Sequence, residues 1–313
     1  MKHIYLLVLL IVTAMQAAIA GYLDEFRAEK VSSHVYVIHG PLELPNESNE
    51  GFMNNPAFIV TSEGVVVIDP GSSVHTGNML LREIRKISEL PVIAVFDTHV
   101  HGDHWLGNDA IQRSYPDADI YAHHKTISMI DNGEGKNWLN LMHDMTKGAT
   151  DGTKIVNAKD ALKGGEDLSI GGHQFQIIHH GQAHTVTDIM ILYKQDNVLF
   201  TGDNVTNKRI IRMVDASFKG SIETIEKAKS LQAAIIVPGH GKTGGTELLD
   251  NYHTYLSILY SNVSKYFDED MSDFEMKPLI HPELSDYHDW SGYEDELGKH
   301  ISGAYLEIEA AAF

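Results

Sequence analysis

The sequence predicts an α/β fold in which two β-sheets lie face to face with helices on both outer sides. Three observations lead there. Short β-branched runs alternate with amphipathic helical stretches in both halves of the chain. In each half a strand-like run opens onto histidines and aspartates. Beyond about residue 246 the periodicity becomes helical and stays so.

The first 20 residues read as a secretory signal: Lys2 gives the positive start, Ile4 to Met15 the apolar stretch, and Ala18-Ile19-Ala20 the small-residue cleavage pattern. The apolar stretch is short for a bilayer span, so no stable membrane anchor is expected; the alternative is that it is retained as one. Residues 21–313 then form one large domain, periplasmic or secreted. A net charge of −19 repels nucleic acid and anionic lipid, which argues against nuclease action on large polyanions and for a small-molecule substrate. With 0 cysteines, disulfides, thiolate metal ligands and lipidation at the cleavage site are ruled out. Oligomeric state is not legible.

Val35 to Ile38, Ala57 to Val60 and Val65 to Ile68 read as strands, the last two joined through Ser62-Glu63-Gly64 as a hairpin. Asp69-Pro70-Gly71 ends the third. Met79, Leu80, Ile84 and Ile87 share one helical face ahead of the strand Val92 to Phe96. Ile222, Ile225, Ala228 and Leu231 mark a second such helix before the strand Ala234 to Val237. The segment near 123–165 is different, with Met129, Trp138, Leu141, Met142 and Met145 among glycines and polar residues. It reads either as a pocket-wall insertion or as helix packed on the body. Leu249, Tyr252, Leu256, Leu259 and Val263 continue as a long helix to about Phe267, then an acidic, aromatic stretch and a final helix. This tail reads as structural cover ahead of pocket rim.

Chemistry concentrates in His99-Val100-His101-Gly102-Asp103-His104, where 4 potential ligands occupy 6 positions just past a buried strand. Imidazole nitrogen and carboxylate oxygen suit zinc, and so dense a set is hard to explain without a metal. His184, Asp203 in Thr201-Gly202-Asp203 and His240 in Pro238-Gly239-His240 complete a constellation. Gly241-Lys242-Thr243 lacks the glycine a phosphate loop needs, since Ile236 stands there. Gly239 and Gly241 instead permit a tight turn beside His240.

This ordered set resembles the metallo-β-lactamase-fold superfamily, whose signature is H-x-H-x-D-H, a later His, Asp or Cys, and a final His. The resemblance runs from about Val35 to His240 and is specific to the superfamily but weak on substrate. It implies a four-layer αββα sandwich, with the interval of 80 positions from His104 to His184 holding an insertion. By motif position His99, His101 and His184 would hold one zinc ion, Asp103, His104 and His240 a second, and Asp203 would bridge them. Asp69 and Asp188 are candidates for orienting the ligands, with a plain turn former the alternative for Asp69.

The activity implied is hydrolysis of an ester, lactone, thioester or amide carbonyl by a hydroxide shared between the metals, with Asp103 as its proton acceptor. Asn204, Asn207, Lys208 and Arg209 follow Asp203 and are candidates for meeting a substrate carboxylate, with exposed loop charge the alternative for the two cations. A zinc β-lactamase is a second reading, weakened by Asp203 in place of Cys and by Thr206 where one class has Lys. Lactonases of the superfamily place a Tyr near the fourth motif, and the nearest here is Tyr193. A mononuclear iron persulfide dioxygenase is a third, because iron suits the same residues.

Overall fold

A computed structural model describes residues 21–312. The proposed signal segment lies outside these residues. The first sheet has seven strands in sequential order: β1 (Glu29–Lys30), β2 (Val35–Val37), β3 (Ala57–Val60), β4 (Val65–Ile68), β5 (Val92–Asp97), β6 (Asp119–His123) and β7 (Asp160–Leu162). The β3–β4 hairpin is antiparallel, while β4, β5, β6 and β7 pair in parallel. Parallel neighbours need crossovers, and α1 (Val74–Ile87) supplies the one between β4 and β5. Ser73 caps α1 by accepting from the Thr76 amide, which fixes where the chain turns off the sheet.

The second sheet has five strands in the order β12-β11-β10-β9-β8: β8 (Asp167–Ile170), β9 (His173–Ile178), β10 (Met190–Tyr193), β11 (Val198–Thr206) and β12 (Ile235–His240). Its last pair, β11 and β12, is parallel and joined by α6 (Phe218–Ser230). In the first sheet's crossovers, α2 (Gly102–Trp105) and α3 (Asn108–Ser114) lie between β5 and β6, and α4 (His124–Met129) and α5 (Gly135–Thr146) between β6 and β7. After β12 follow α7 (Glu247–Asp268), α8 (Asp273–Ile280) and α9 (Tyr293–Ala312).

Three apolar layers account for the stacking. Val66, Ile68, Phe96, Phe175, Ile191 and Phe200 pack between the two sheets. Leu80, Ile84, Val67 and Val95 seal α1 onto the outer face of the first sheet. Leu199, Ile225, Leu256, Leu259, Leu297 and Ile301 seal α6, α7 and α9 onto the second. The result is the αββα order expected, and alternation of side chains across each strand is what allows one sheet to feed two layers. No helix among the described residues is long and apolar enough to cross a membrane.

The 123–165 segment combines both readings made of it. Met142 is core, buried with Trp105 and Leu106, whereas Trp138 and Leu141 line a cavity. The tail likewise does more than cover the sheet, as Ser291, Gly292, Asp295 and Glu296 line the same cavity. Leu256 is fully buried between α7 and the second sheet. Leu256→Ala is expected to cost about 2–5 kcal/mol in urea unfolding, with an unchanged m-value. A smaller loss would mean that this helix layer is only loosely applied.

Candidate metal centre

Ligand candidates collect where the parallel strands of both sheets end, the usual place for a crevice in open α/β sheets. His99 follows β5, His101 caps the short α2, and Asp103 and His104 lie within it. His184 sits in the loop between β9 and β10, Asp203 inside β11, and His240 at the end of β12. All but His101 are buried.

The structure brings all seven together. Ligand atoms of His99, His101, His184 and Asp203 lie within 4.8 Å of one another, and so do those of Asp103, His104 and His240. Asp203 faces both sets. Its Oδ2 is 3.5 Å from His184 Nε2, 4.0 Å from His99 Nε2 and 3.3 Å from His240 Nε2, while Oδ1 is 3.2 Å from His104 Nε2. Asp103 Oδ2 lies 3.4 Å from His104 Nε2 and 3.5 Å from His240 Nε2. Donors bound tetrahedrally at about 2.0–2.1 Å stand roughly 3.3–3.4 Å apart, so most of these spacings suit zinc.

Asp203 reaches this position because β11 is irregular against β12, with register shifts on either side of Gly202. Such bulges re-aim a side chain. Gly239 makes the room: a Cβ there would stand 2.0 Å from Asp203 Oδ1.

The outer ring nitrogens are fixed by acceptors. His104 Nδ1 donates to Asp69 Oδ2 at 2.7 Å. The Thr98 hydroxyl donates to that same oxygen at 2.7 Å and therefore accepts from His99 Nδ1 at 3.0 Å. His240 Nδ1 donates to the Met53 carbonyl at 2.8 Å. Each bond leaves Nε2 free to face Asp203, the tautomer a metal needs. Asp69 thus does more than turn the chain. Asp188 differs from expectation. Its carboxylate accepts from the Thr185 amide and hydroxyl, both at 2.7 Å, and shapes the His184 loop without bonding a ligand ring.

Electrostatics favour a cation here. Burial resists ionisation of Asp203, yet the His240 and His104 charges hold its carboxyl well below the usual range. Burial also opposes Asp103, but His104 brings it down to about 2. Burial pushes His184 down to about 3, helped by His101, and lowers His99 strongly, helped by His104 and His101. Burial opposes charge on His104 too, but Asp103, Asp203 and Asp69 raise it well above the ordinary value. A metal would take the place of that proton. His99 Nε2, His104 Nε2 and Asp203 Oδ1 are buried with no hydrogen-bond partner, a costly state for groups facing one another. The residues fit the pair of ions that the motif implies.

A cavity of about 240 Å³ opens on His101, Asp103, His184, Asp203 and His240. Leu42, Met53, Trp138 and Ile210 wall it, and exposed Leu44, Leu141 and Val214 form apolar lips. Of the four residues expected to meet substrate, only Arg209 lines it. The exposed-charge alternative holds for Lys208, which pairs with Asp289 at 3.0 Å, and fails for Arg209, which is 4% exposed. Asn204 and Asn207 bond Thr201 and Lys242 carbonyls instead. Tyr193 lies in the inter-sheet core with its hydroxyl 2.6 Å from His173 Nδ1, away from the cavity.

Sequence reasoning missed Asp215, whose Oδ2 is 3.4 Å from His101 Nε2. It also missed Asn55, whose side chain donates to the carbonyls of Pro238 at 2.8 Å and Gly241 at 2.6 Å around the His240 turn. Neither lies in a patterned stretch that would flag it.

A family model described as the metallo-beta-lactamase superfamily matches residues 49–240. The chain belongs to that superfamily. It is 26% identical over 228 residues to metallo-beta-lactamase IND-1 of Chryseobacterium indologenes, covering 69% of this chain and 81% of that one. It is 23% identical over 270 residues to a linear primary-alkylsulfatase of Pseudomonas sp., covering 74% of this chain but only about half, 51%, of the relative. A solved metallo-beta-lactamase from Pontibacter korlensis superposes with a TM-score of 0.60 at 22% identity, over 74% of this chain and 99% of that one. The superfamily's relatives identify the chain as a metal-dependent hydrolase.

Two substitutions probe this centre. Asp69→Asn is expected to weaken metal binding about 10–100-fold in chelator competition, while far-ultraviolet circular dichroism stays native; unchanged affinity would deny Asp69 its orienting role. Gly239→Ala is expected to displace Asp203 and cost about 1–3 kcal/mol in stability. Native stability with native metal content would show that the β11 bulge relaxes freely.

Proposed function

We propose that this protein is an exported zinc-dependent hydrolase that cleaves an ester, lactone, thioester or amide carbonyl in a substrate with an apolar body. The observation that carries the reading is Asp203 standing between two sets of imidazoles, all but His101 buried, at an apolar-walled cavity. His99, His101 and His184 would hold one ion, Asp103, His104 and His240 the other, and Asp203 both. Bound there, two zinc ions supply Lewis acidity and bring a water's pKa from about 15.7 towards 7.

The chain's own groups do the rest. Asp103 is ionised and carries a free acceptor lone pair for a proton released at the cavity floor. Trp138 lies with its ring 4.9 Å from that of His101 and, with Leu141 and Leu42, excludes water from the approach. Arg209 lies 3.3 Å from His240 Nδ1, but that nitrogen's proton already goes to Met53, so it offers the guanidinium no acceptor. Among the described residues Arg209 has no ion-pair partner, and it is available to an anionic group beside the scissile bond. The names of several relatives favour a β-lactam as that substrate, and Arg209 would serve its carboxylate; the absence of Cys and the presence of Thr206 speak for other carbonyls.

Native protein is expected to carry about two zinc per chain and no iron by elemental analysis, and to start at Gly21 by intact mass. Tested on β-lactam, lactone, thioester and phosphodiester substrates, it should turn over a carbonyl compound. Asp203→Ala should lose metal and at least about 100-fold in turnover, on the scale of ordinary proton-transfer and ligand losses. Full occupancy with unchanged turnover would remove Asp203 from the bridging place.

A further inference from the structure

The wall of the cavity carries an acidic group that the metal reading leaves unused. Glu296, in the first turn of α9, is 8% exposed and lines the cavity beside the candidate centre. Lys299 Nζ donates to its Oε1 at 2.6 Å. Its Oε2 is enclosed and has no hydrogen-bond partner. A buried carboxylate oxygen left without a donor is costly. A structural pairing with Lys299 does not account for it, because that lysine side chain is 59% exposed and such pairs contribute little. Helix-end charge does not either, since Glu294 and Asp295 already serve the same turn from more exposed positions. Arg209 lines the same cavity and lies near enough for the Glu296 charge to act on it, yet the two form no ion pair.

We propose that Glu296 Oε2 accepts a hydrogen bond from a donor group on the substrate, an ammonium or a hydroxyl, other than the reacting carbonyl. Glu296 is a specificity residue in this assignment. It comes from α9, outside the 49–240 span that the family model matches. The inference rests on the metal-centre reading for the other end of the substrate.

The test uses metal-loaded protein and linear alkanethiols of graded length, tipped with ammonium, hydroxyl, carboxylate or methyl, with affinities measured by calorimetry. The thiol anchors one end at the metals and the tip probes the wall. The ammonium or hydroxyl tip is expected to bind at least about tenfold tighter than methyl at one chain length, the yield of a hydrogen bond to a charged acceptor. Glu296→Gln should abolish the ammonium preference. Preference for both tips indicates a neutral donor, and for ammonium alone a cationic substrate. Equal affinities, a carboxylate preference, or an ammonium preference that survives in Glu296→Gln would overturn the assignment while leaving the metal centre intact. If no thiol binds, the metal-centre reading fails and takes this one with it. Should Glu296→Gln not fold, Lys299→Met frees Oε1 as well and should raise the ammonium preference; a preference that does not rise defeats the proposal.

Discussion

One carboxylate, that of Asp203, lies between two groups of imidazoles, and much of the local structure exists to let it do so. An anion buried among imidazoles and beside a second carboxylate is untenable without compensating positive charge, from protons on those rings or from a metal in their place. The fold prepares for that charge at several scales. A bulged strand aims the side chain, a glycine on the neighbouring strand leaves space for it, and parallel strand ends bring the rings of both sheets to one edge. Neutral imidazoles offer lone pairs and ionised carboxylates offer charge, which together describe a receptor for cations.

Around this floor the division of labour is spatial. The groups that hold ring orientation are deep and largely part of the first sheet or its loops: Asp69, Thr98 and the Met53 carbonyl. The groups that shape the approach come from elsewhere, from α5, from the segment after β11 and from the chain beyond α8. A rigid reactive floor beneath walls built from connecting segments is the arrangement by which one fold serves many substrates.

Much of this was legible because it is local. The hexapeptide from His99 to His104 compresses four candidates into one strand exit, and the apolar runs of β3, β4, β5 and β12 have the β-branched texture of buried strands. His184, Asp203 and His240 were legible only through likeness to a known order of motifs, since nothing in their own surroundings says that they meet. Arg209 illustrates the limit. A cation in a polar stretch reads as solvent-facing, and only the tail folding over it turns it inward. Asp188 illustrates another, because a carboxylate four residues from a histidine is as able to brace the loop backbone as the ring, and here it braces the loop. Asp215 and Glu296 approach from distant segments with no period or motif to mark them.

The turn that presents His240 is gripped by residues far earlier in the chain: Asn55 holds the carbonyls of Pro238 and Gly241, its own amide reaches Gly239, and Met53 anchors the ring. Contacts of such long sequence separation carry a loop-closure cost in entropy. The centre lies across a seam that joins the opening third of the polypeptide to its final strand. An ion seated there would act as a clasp over that seam, since whatever binds only the folded form stabilises it by mass action. Durability against heat and proteases then becomes a matter of mineral supply in the surrounding medium, as much as of the oily layers beneath.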